Sequence, residues 1–208
     1  MIDKKKTRKE LETNFKKQVF IDAAIKVFAA QGFQKTSIEM IASETGYAAG
    51  TIYNYFKSKE ELYGAALNYI GNTFLESLKA AIGGIKDPFE KLRQFVIFKF
   101  NFGIKNIDFI RVIFSEETTF EWHLKKESRI SSRTHIYNKV MEIELSIIKD
   151  CQKAGKLQKG EPALLTTLLD SFFDGYFLYR LKNNQKELIT KEIGKIFEYF
   201  IKGFGTER

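Results

Sequence analysis

The sequence predicts an all-α chain in which an N-terminal three-helix helix-turn-helix unit is joined by a long helix to a larger helical part. Three observations carry that expectation. Apolar residues recur at three- and four-residue intervals through most of the 208 residues, with no convincing strand-like alternation. A capping signal, a glycine turn and a second short helical pattern follow one another within Thr36–Phe56, TSIEMIASETGYAAGTIYNYF. The composition then shifts, with 15 of the 20 phenylalanines lying after residue 70. The expected division is a basic mobile arm over 1–13, a DNA-binding unit over 14–70, and a helical effector-binding and dimerisation unit over 71–208.

In chain order, residues 1–13 carry Lys4, Lys5, Lys6, Arg8 and Lys9 with little to bury. Such an arm can enter a minor groove or hold phosphates; the alternative is a frayed, solubilising tail. From Asn14 to Gln31 the residues Phe15, Val19, Phe20, Ala23, Ala24, Val27 and Phe28 form one apolar stripe, with Gly32 as the stop and Phe33 folding back on the last turn. Thr36 and Glu39 have the spacing of a capping box, and Ile38, Ile41 and Ala42 give the next helix its apolar side. Gly46 is where the chain can turn through the left-handed region into a second helix, Ala48 to Tyr55. Ile52 and Phe56 face inward on it, leaving Gly50, Thr51, Tyr53, Asn54 and Tyr55 outward, where a small residue permits close approach to a DNA groove. Ser58 and Glu61 then form a second capping box, opening a helix of roughly 24 residues and about 36 Å. Its exposed N–H groups beside Lys59 would suit a DNA phosphate. The bland alternative is an ordinary capped helix with an exposed lysine.

The run G-T-I-Y-N-Y-F-K-S-K-E-E-L at Gly50–Leu62, following A-A-x-x-x-F-A-x-x-G-F at Ala23–Phe33, closely resembles the TetR family of bacterial transcriptional regulators. The resemblance covers about residues 14–62; beyond it the chain matches in length and helical character only. It implies that Thr51, Tyr53, Tyr55 and Lys59 hold phosphates or touch base edges, and that Thr36 or Ser37 opens the first helix of the motif. Packing against the first helix is the alternative for both tyrosines. The chain departs from the family at Tyr47-Ala48-Ala49, which replaces a more usual aliphatic-serine-basic run. Ala48 cannot cap and Ala49 cannot reach a phosphate, so the reading helix lacks a cap commonly worth about 1 kcal/mol. Their methyl groups can still meet thymine methyls, which favours an A·T-containing half-site.

Charge and cysteine usage narrow the classes. The net charge is +8, and the first 60 residues alone hold 11 basic against 7 acidic side chains. That balance suits a phosphate partner, although a solvated lysine-rich surface produces the same excess. Cys151 is the only cysteine, so neither an intrachain disulfide nor a cysteine-based zinc site is available. A charged N-terminus without an apolar run, and the absence of an uninterrupted apolar stretch of 18 residues, point to a cytoplasmic protein without a membrane span.

After the punctuation Gly83-Gly84-Ile85-Lys86-Asp87-Pro88, helical spacing runs over 88–101, 107–117, 120–154, 162–183 and 188–204, with breaks at Gly103, Gly155 and Gly160. A core this aromatic is either tightly packed or surrounds a cavity for a small molecule. Candidate lining residues are Phe95, Phe98, Phe102, Phe109, Trp122, Phe173 and Tyr176, with Asn101, Glu116, His123 and His135 as polar anchors. The 162–179 segment is apolar on nearly all sides, and one side suffices for its own core. Leu168, Ser171, Phe172, Gly175, Leu178 and Tyr179, together with Ile193, Phe197, Phe200 and Phe204 on the last helix, would therefore meet their copies across a twofold as a four-helix bundle. Complete burial within one subunit is the alternative.

No Gly-rich nucleotide loop, nucleophile elbow or metal-spaced His/Cys group is present, and Asp170 and Asp174, four apart, are a surface or hydrogen-bonding pair before they are an acid-base pair. The expectation is no enzyme, no cofactor and no metal. It is instead a homodimeric, ligand-responsive regulator, a repressor released from a pseudo-palindromic double-stranded DNA operator by a small apolar or aromatic effector. Two other readings remain open: a helical carrier of apolar molecules, and a constitutive DNA-architectural protein.

Overall fold

The computed structural model describes residues 7–108, 110–111, 131–183 and 190–204. Among them the chain is all-α: α1 (Arg8–Lys35), α2 (Ile38–Thr45), α3 (Ala49–Tyr53), α4 (Lys59–Ile82), α5 (Pro88–Lys105), α6 (Ser131–Lys153), α7 (Pro162–Lys182) and α8 (Thr190–Phe204). No described helix is long and apolar enough to cross a membrane.

The first helix starts earlier than its apolar stripe suggests. Thr7 caps it, accepting from the Glu10 N–H at 3.3 Å, while the Glu10 carboxylate accepts from the Thr7 N–H at 2.7 Å. Residues 8–13 are thus helical rather than part of a mobile arm, because a capping box satisfies N–H groups that would otherwise fray. Phe15 departs from the expected stripe, being 67% exposed, whereas Phe20, Ala23, Ala24 and Phe28 are buried. At Gly32 the backbone leaves the helical region with φ +74°, which lets Phe33 turn back onto Phe28 and Tyr63 at ring separations of 5.8 and 4.8 Å.

Two hydrophobic cores share one rod. Leu62, Tyr63 and Leu67 of α4 pack with Phe20, Phe28, Ile41 and Ile52 in the smaller core. Leu75, Leu78 and Ile82 of the same helix pack with Leu92, Phe95, Phe100, Ile148 and Phe177 in the larger. The 24-residue length expected for α4 matches its observed span. Beyond it, α5 lies against α4, α6 and α8, and α6 lies against α4 and α7.

Gly103 was expected to break a helix but sits inside α5, which runs to Lys105. It is there because α7 comes close: a Cβ at this position would lie 2.6 Å from Phe177 Cζ and 3.3 Å from Phe173 Cζ. Gly155 does end a helix, with φ +67° just after α6. We expect Gly103→Val to cost about 2–3 kcal/mol by overpacking the α5–α7 contact, lowering Tm by roughly 5–10 °C. A thermal melt unchanged from the parent would show that the contact has slack.

Candidate nucleic-acid interface and a buried charge cluster

The reading head is built from short helices with little intrinsic stability, fixed from behind by α1. Ser37, not Thr36, caps α2, accepting from the Met40 N–H at 3.3 Å. The capping box expected at Thr36 and Glu39 is displaced because Thr36 is buried and its hydroxyl donates to the Gly32 carbonyl at 2.8 Å. Thr36 therefore closes the kinked end of α1, and its hydroxyl is not offered outward. Gly46 ends α2 with φ +71°, as its sequence position implies.

Helix α3 is shorter than the expected Ala48–Tyr55: it spans Ala49–Tyr53, its N-cap Ala48 makes no side-chain cap bond, and Asn54 ends it. Ile52 and Phe56 are buried beneath. Outward stand Ala48, Gly50, Tyr53 and Asn54, all exposed, with Ala49 and Thr51 half-buried at the edge. Tyr53 is 49% exposed and free to reach a groove. Tyr55 is not its equivalent, since its ring packs on Phe20 at 5.5 Å, alongside Tyr47 at 5.3 Å. The two rings press the loops on either side of α3 onto α1. Lys16, which the sequence did not single out, stands on α1 beside this pair; its ammonium is held above its ordinary range by Glu12 first and then by Tyr55.

Lys59 is the largest departure. Instead of standing free beside the start of α4, its ammonium donates to the carbonyls of Phe33 and Thr36, both at 2.9 Å, with Gln34 at 3.4 Å, and lies 4.4 Å from the Phe33 ring centre. The kink at Gly32 leaves these carbonyls without helical donors, so a long cation from α4 closes them. Ser58 caps α4 as expected, accepting from the Glu61 N–H at 3.2 Å, while Glu61 accepts from Lys57 rather than from Ser58. Lys57 is left exposed on this edge.

In the larger part, the candidate lining residues fall into separate groups. Phe98 and Phe102 pack with Phe74 of α4 at 5.4 and 5.0 Å. Phe173 and Tyr176 both meet Phe100 at 5.1 Å. Phe95 is wholly buried in the core and Asn101 half-buried. Phe109, Glu116, Trp122 and His123 lie outside the described residues, as does the side chain of His135.

Sequence reading singled out Asp170 as one of a surface or hydrogen-bonding pair, but it missed Lys99, Glu144 and Tyr137, which meet it at the centre of this part. Lys99 of α5 is ion-paired to Asp170 of α7 and lies 3.6 Å from Glu144 of α6. Tyr137 of α6 donates to Asp170 at 3.1 Å. Burial opposes the charge on Lys99, but Asp170 and Glu144 outweigh it and keep the ammonium protonated. Burial, only partly offset by Lys99, pushes the Glu144 acid up to about 7. Among the described residues, neither Glu144 oxygen has a hydrogen-bond donor.

The faces assigned to dimerisation divide. Leu178 and Tyr179 of α7 are exposed, Phe172 is 37% exposed, and Leu168, Ser171, Phe172, Gly175 and Tyr179 line an open groove of about 480 Å³ with Ile196. Ile193, Phe197 and Phe200 instead belong to the subunit's own core, at 1%, 8% and 0% exposure. Helix α8 has a single apolar stripe, and α5 and α7 use it, as in the Phe89–Phe197 ring contact at 5.8 Å. The side chain of Phe204 lies outside the described residues.

Comparison with known proteins places these features. Residues 20–66 match the family model for bacterial regulatory proteins of the tetR family. The HTH-type transcriptional repressor NicS of Pseudomonas putida is 28% identical over 110 residues, 53% of this chain, and the chain spans about half (52%) of that relative's length. The fatty acid metabolism regulator protein of Bacillus subtilis is 24% identical over 184 residues, covering 88% of this chain and 92% of the relative. Among solved structures, the transcriptional regulator FadR from Bacillus subtilis in complex with stearoyl-CoA superposes with a TM-score of 0.76 at 21% identity, over 89% of this chain and 98% of that one. These relatives are named as regulators, not as enzymes.

Because Lys59 closes the end of α1, Lys59→Ala should destabilise the chain by about 1–2 kcal/mol, below the full range for a charge-assisted bond since the ammonium remains half exposed. Lys57→Ala should stay within about 0.5 kcal/mol of the parent. Equal denaturation midpoints for the two variants would refute the strap.

Proposed function

Through residues 20–66 the chain belongs to the tetR family of bacterial regulatory proteins, and from that premise we propose that it is a homodimeric, cytoplasmic repressor released from a pseudo-palindromic operator by a small effector with an apolar or aromatic body. The observation that carries the reading is α3: its inward side is anchored by Ile52 and by the rings around Phe20, while Gly50, Tyr53 and Asn54 are presented outward on a head with excess positive charge. Such a face can enter a major groove, where side chains tell base edges apart. Ala48, Ala49 and Thr51 would border the contact, with Ser37 and Lys57 near the phosphates. Lys16 joins them from α1. Tyr55, Thr36 and Lys59 position the head.

The effector unit is taken to begin near Ile70, where α4 passes from one core to the other, and the DNA-binding unit to occupy 14–70. A repressor role is supported by the name of the Pseudomonas relative, and an apolar effector by the stearoyl-CoA carried by the similarly folded regulator. An effector acts by favouring one of two separations of the reading heads, through whatever difference in affinity it has for them. The second copy is expected against the exposed side of α7, where Leu164, Phe172, Leu178 and Tyr179 leave large apolar surface in water.

Selection of bound sequences from a random duplex pool should return a pseudo-palindrome with half-sites about one helical turn apart or somewhat more. On the selected duplex, Tyr53→Ala should lose about tenfold in affinity while binding random DNA nearly as before; equal losses on both would remove α3 as the reader. Leu178→Glu should convert a dimer into a monomer in light scattering and abolish tight operator binding. A wild-type chain that is monomeric both free and on the duplex would end the proposal.

A further inference from the structure

Asp170 of the charge cluster has two partners, and Glu144 has an unmet need. Two carboxylates, Asp170 and Glu144, face a single ammonium, and that ammonium is hydrogen-bonded to Asp170. Asp174, one turn along α7, adds further negative potential at all three groups on the other helices, Lys99, Tyr137 and Glu144. Glu144 is wholly buried, yet among the described residues both its oxygens lack hydrogen-bond donors. A buried carboxylate that shares one ammonium and has no hydrogen bond costs stability, and a perturbed buried group of this kind is a candidate for function.

Accessibility falls along a line. Tyr137 and Phe173 are half-buried, the Lys99 and Asp170 side chains are each 10% exposed, and Glu144 is at 0%. The cluster is thus least buried at its tyrosine end and most buried at Glu144. Its flank is aromatic, with the Phe173 ring centre 4.5 Å from the Lys99 ammonium and Phe100 behind it. A metal dication is a poor occupant, because Lys99 already stands between the carboxylates and no group of three metal-ligating side chains occurs among the described residues.

We propose that this cluster is the polar end of the effector site, and that the effector is an organic cation, an ammonium or amidinium on an apolar or aromatic body, whose N–H groups hydrogen-bond the Glu144 carboxylate. Lys99 stays on Asp170, so binding brings the site to two positive and two negative charges among these four groups. The aromatic flank suits both the apolar body and, through the ring faces, the positive charge. Glu144 faces Lys99 of α5, and α6 packs on α7 and α4, so a cation that draws on Glu144 acts on a helix in contact with the one that carries the reading head. The inference rests on the effector reading given above and adds the sign of the ligand's charge.

The test uses the full chain at pH 7.5, titrated calorimetrically with benzyl-, phenethyl- and 3-phenylpropylammonium, with the matching alcohols and carboxylates, and with a long-chain acyl-CoA. At least one ammonium ion should bind tenfold or more tightly than its alcohol, lose that advantage in Glu144→Gln, and keep it in Glu142→Gln, an exposed position on the same helix. Its affinity should fall as pH drops below about 7, where Glu144 takes up a proton. Folding of Glu144→Gln is checked independently. The folded acid is raised from 4.5 to about 7, so between those values the native state keeps a proton that the unfolded chain releases, and wild-type stability falls as pH rises through that window. Glu144→Gln should therefore melt above the parent at pH 8 and converge with it near pH 4.5; a lower melt at pH 8 would overturn the proposal by showing that the ionised acid is already satisfied. Carboxylates or acyl-CoA that bind and release the operator while every ammonium ion fails would overturn the cation and leave the effector reading standing. Unchanged operator affinity with every probe would overturn both.

Discussion

The ammonium of Lys59, held by the carbonyls that the kink at Gly32 leaves open, is the contact on which the arrangement of the head depends. It fastens the start of α4 to the end of α1, immediately before α2 begins. Since Tyr47 and Tyr55 clasp Phe20 from either side of α3, the reading helix is tied to α1, and α1 is tied to α4. The charged strap and the aromatic clasp thus reinforce the core that Leu62, Tyr63 and Leu67 of α4 already share with α1 and with Ile52 of α3. Neither depends on α3 itself, which is five residues long and has no side-chain cap; isolated helices of that length do not persist in water.

The larger core meets a different constraint. Its walls are phenylalanines packed ring on ring, with Gly103 letting α5 and α7 approach. A core of this kind could be wholly apolar, and replacement of a buried ion pair by apolar groups is often neutral or better for stability. Lys99, Asp170, Glu144 and Tyr137 nevertheless occupy the junction of three helices. Lys99 and Asp170 satisfy each other, and Tyr137 satisfies Asp170. Glu144, 3.6 Å from the same ammonium, makes no hydrogen bond among the described residues.

Much of the fold was legible because its signals are local. The stop at Gly46, the cap at Ser58, the 24-residue α4 and the turn before Pro88 each depend on residues adjacent in sequence. So did the lack of a cap at Ala48. The errors came where a distant partner decides. Gly103 reads as a break until Phe177 is placed against it. Lys59 reads as free until the carbonyls of residues 33 and 36 arrive, and Thr36 reads as a cap until it is buried. The stripe on α8 looked like an interface because periodicity reports that a face is covered and is silent on what covers it. The charge cluster was illegible for the same reason, since Lys99, Glu144 and Asp170 come from three helices. The Asp170–Asp174 spacing and a lysine within an apolar run, FVIFKFNF, were the hints in the sequence, and neither named the partner.

That α4 is shared between two cores also fixes an angular relation. Leu67 is the last of its residues in the smaller core and Phe74 the first to pack on the larger, so the intervening stretch works as a calibrated shaft. Each residue inserted there would turn one end about 100° against the other and lengthen the axle by about 1.5 Å. Seven added residues nearly restore the original heading, whereas two or five reverse or misdirect it. Chimeras that exchange heads between relatives must therefore keep step with the helical pitch, and the length of this stretch, more than its composition, sets which way the heads point.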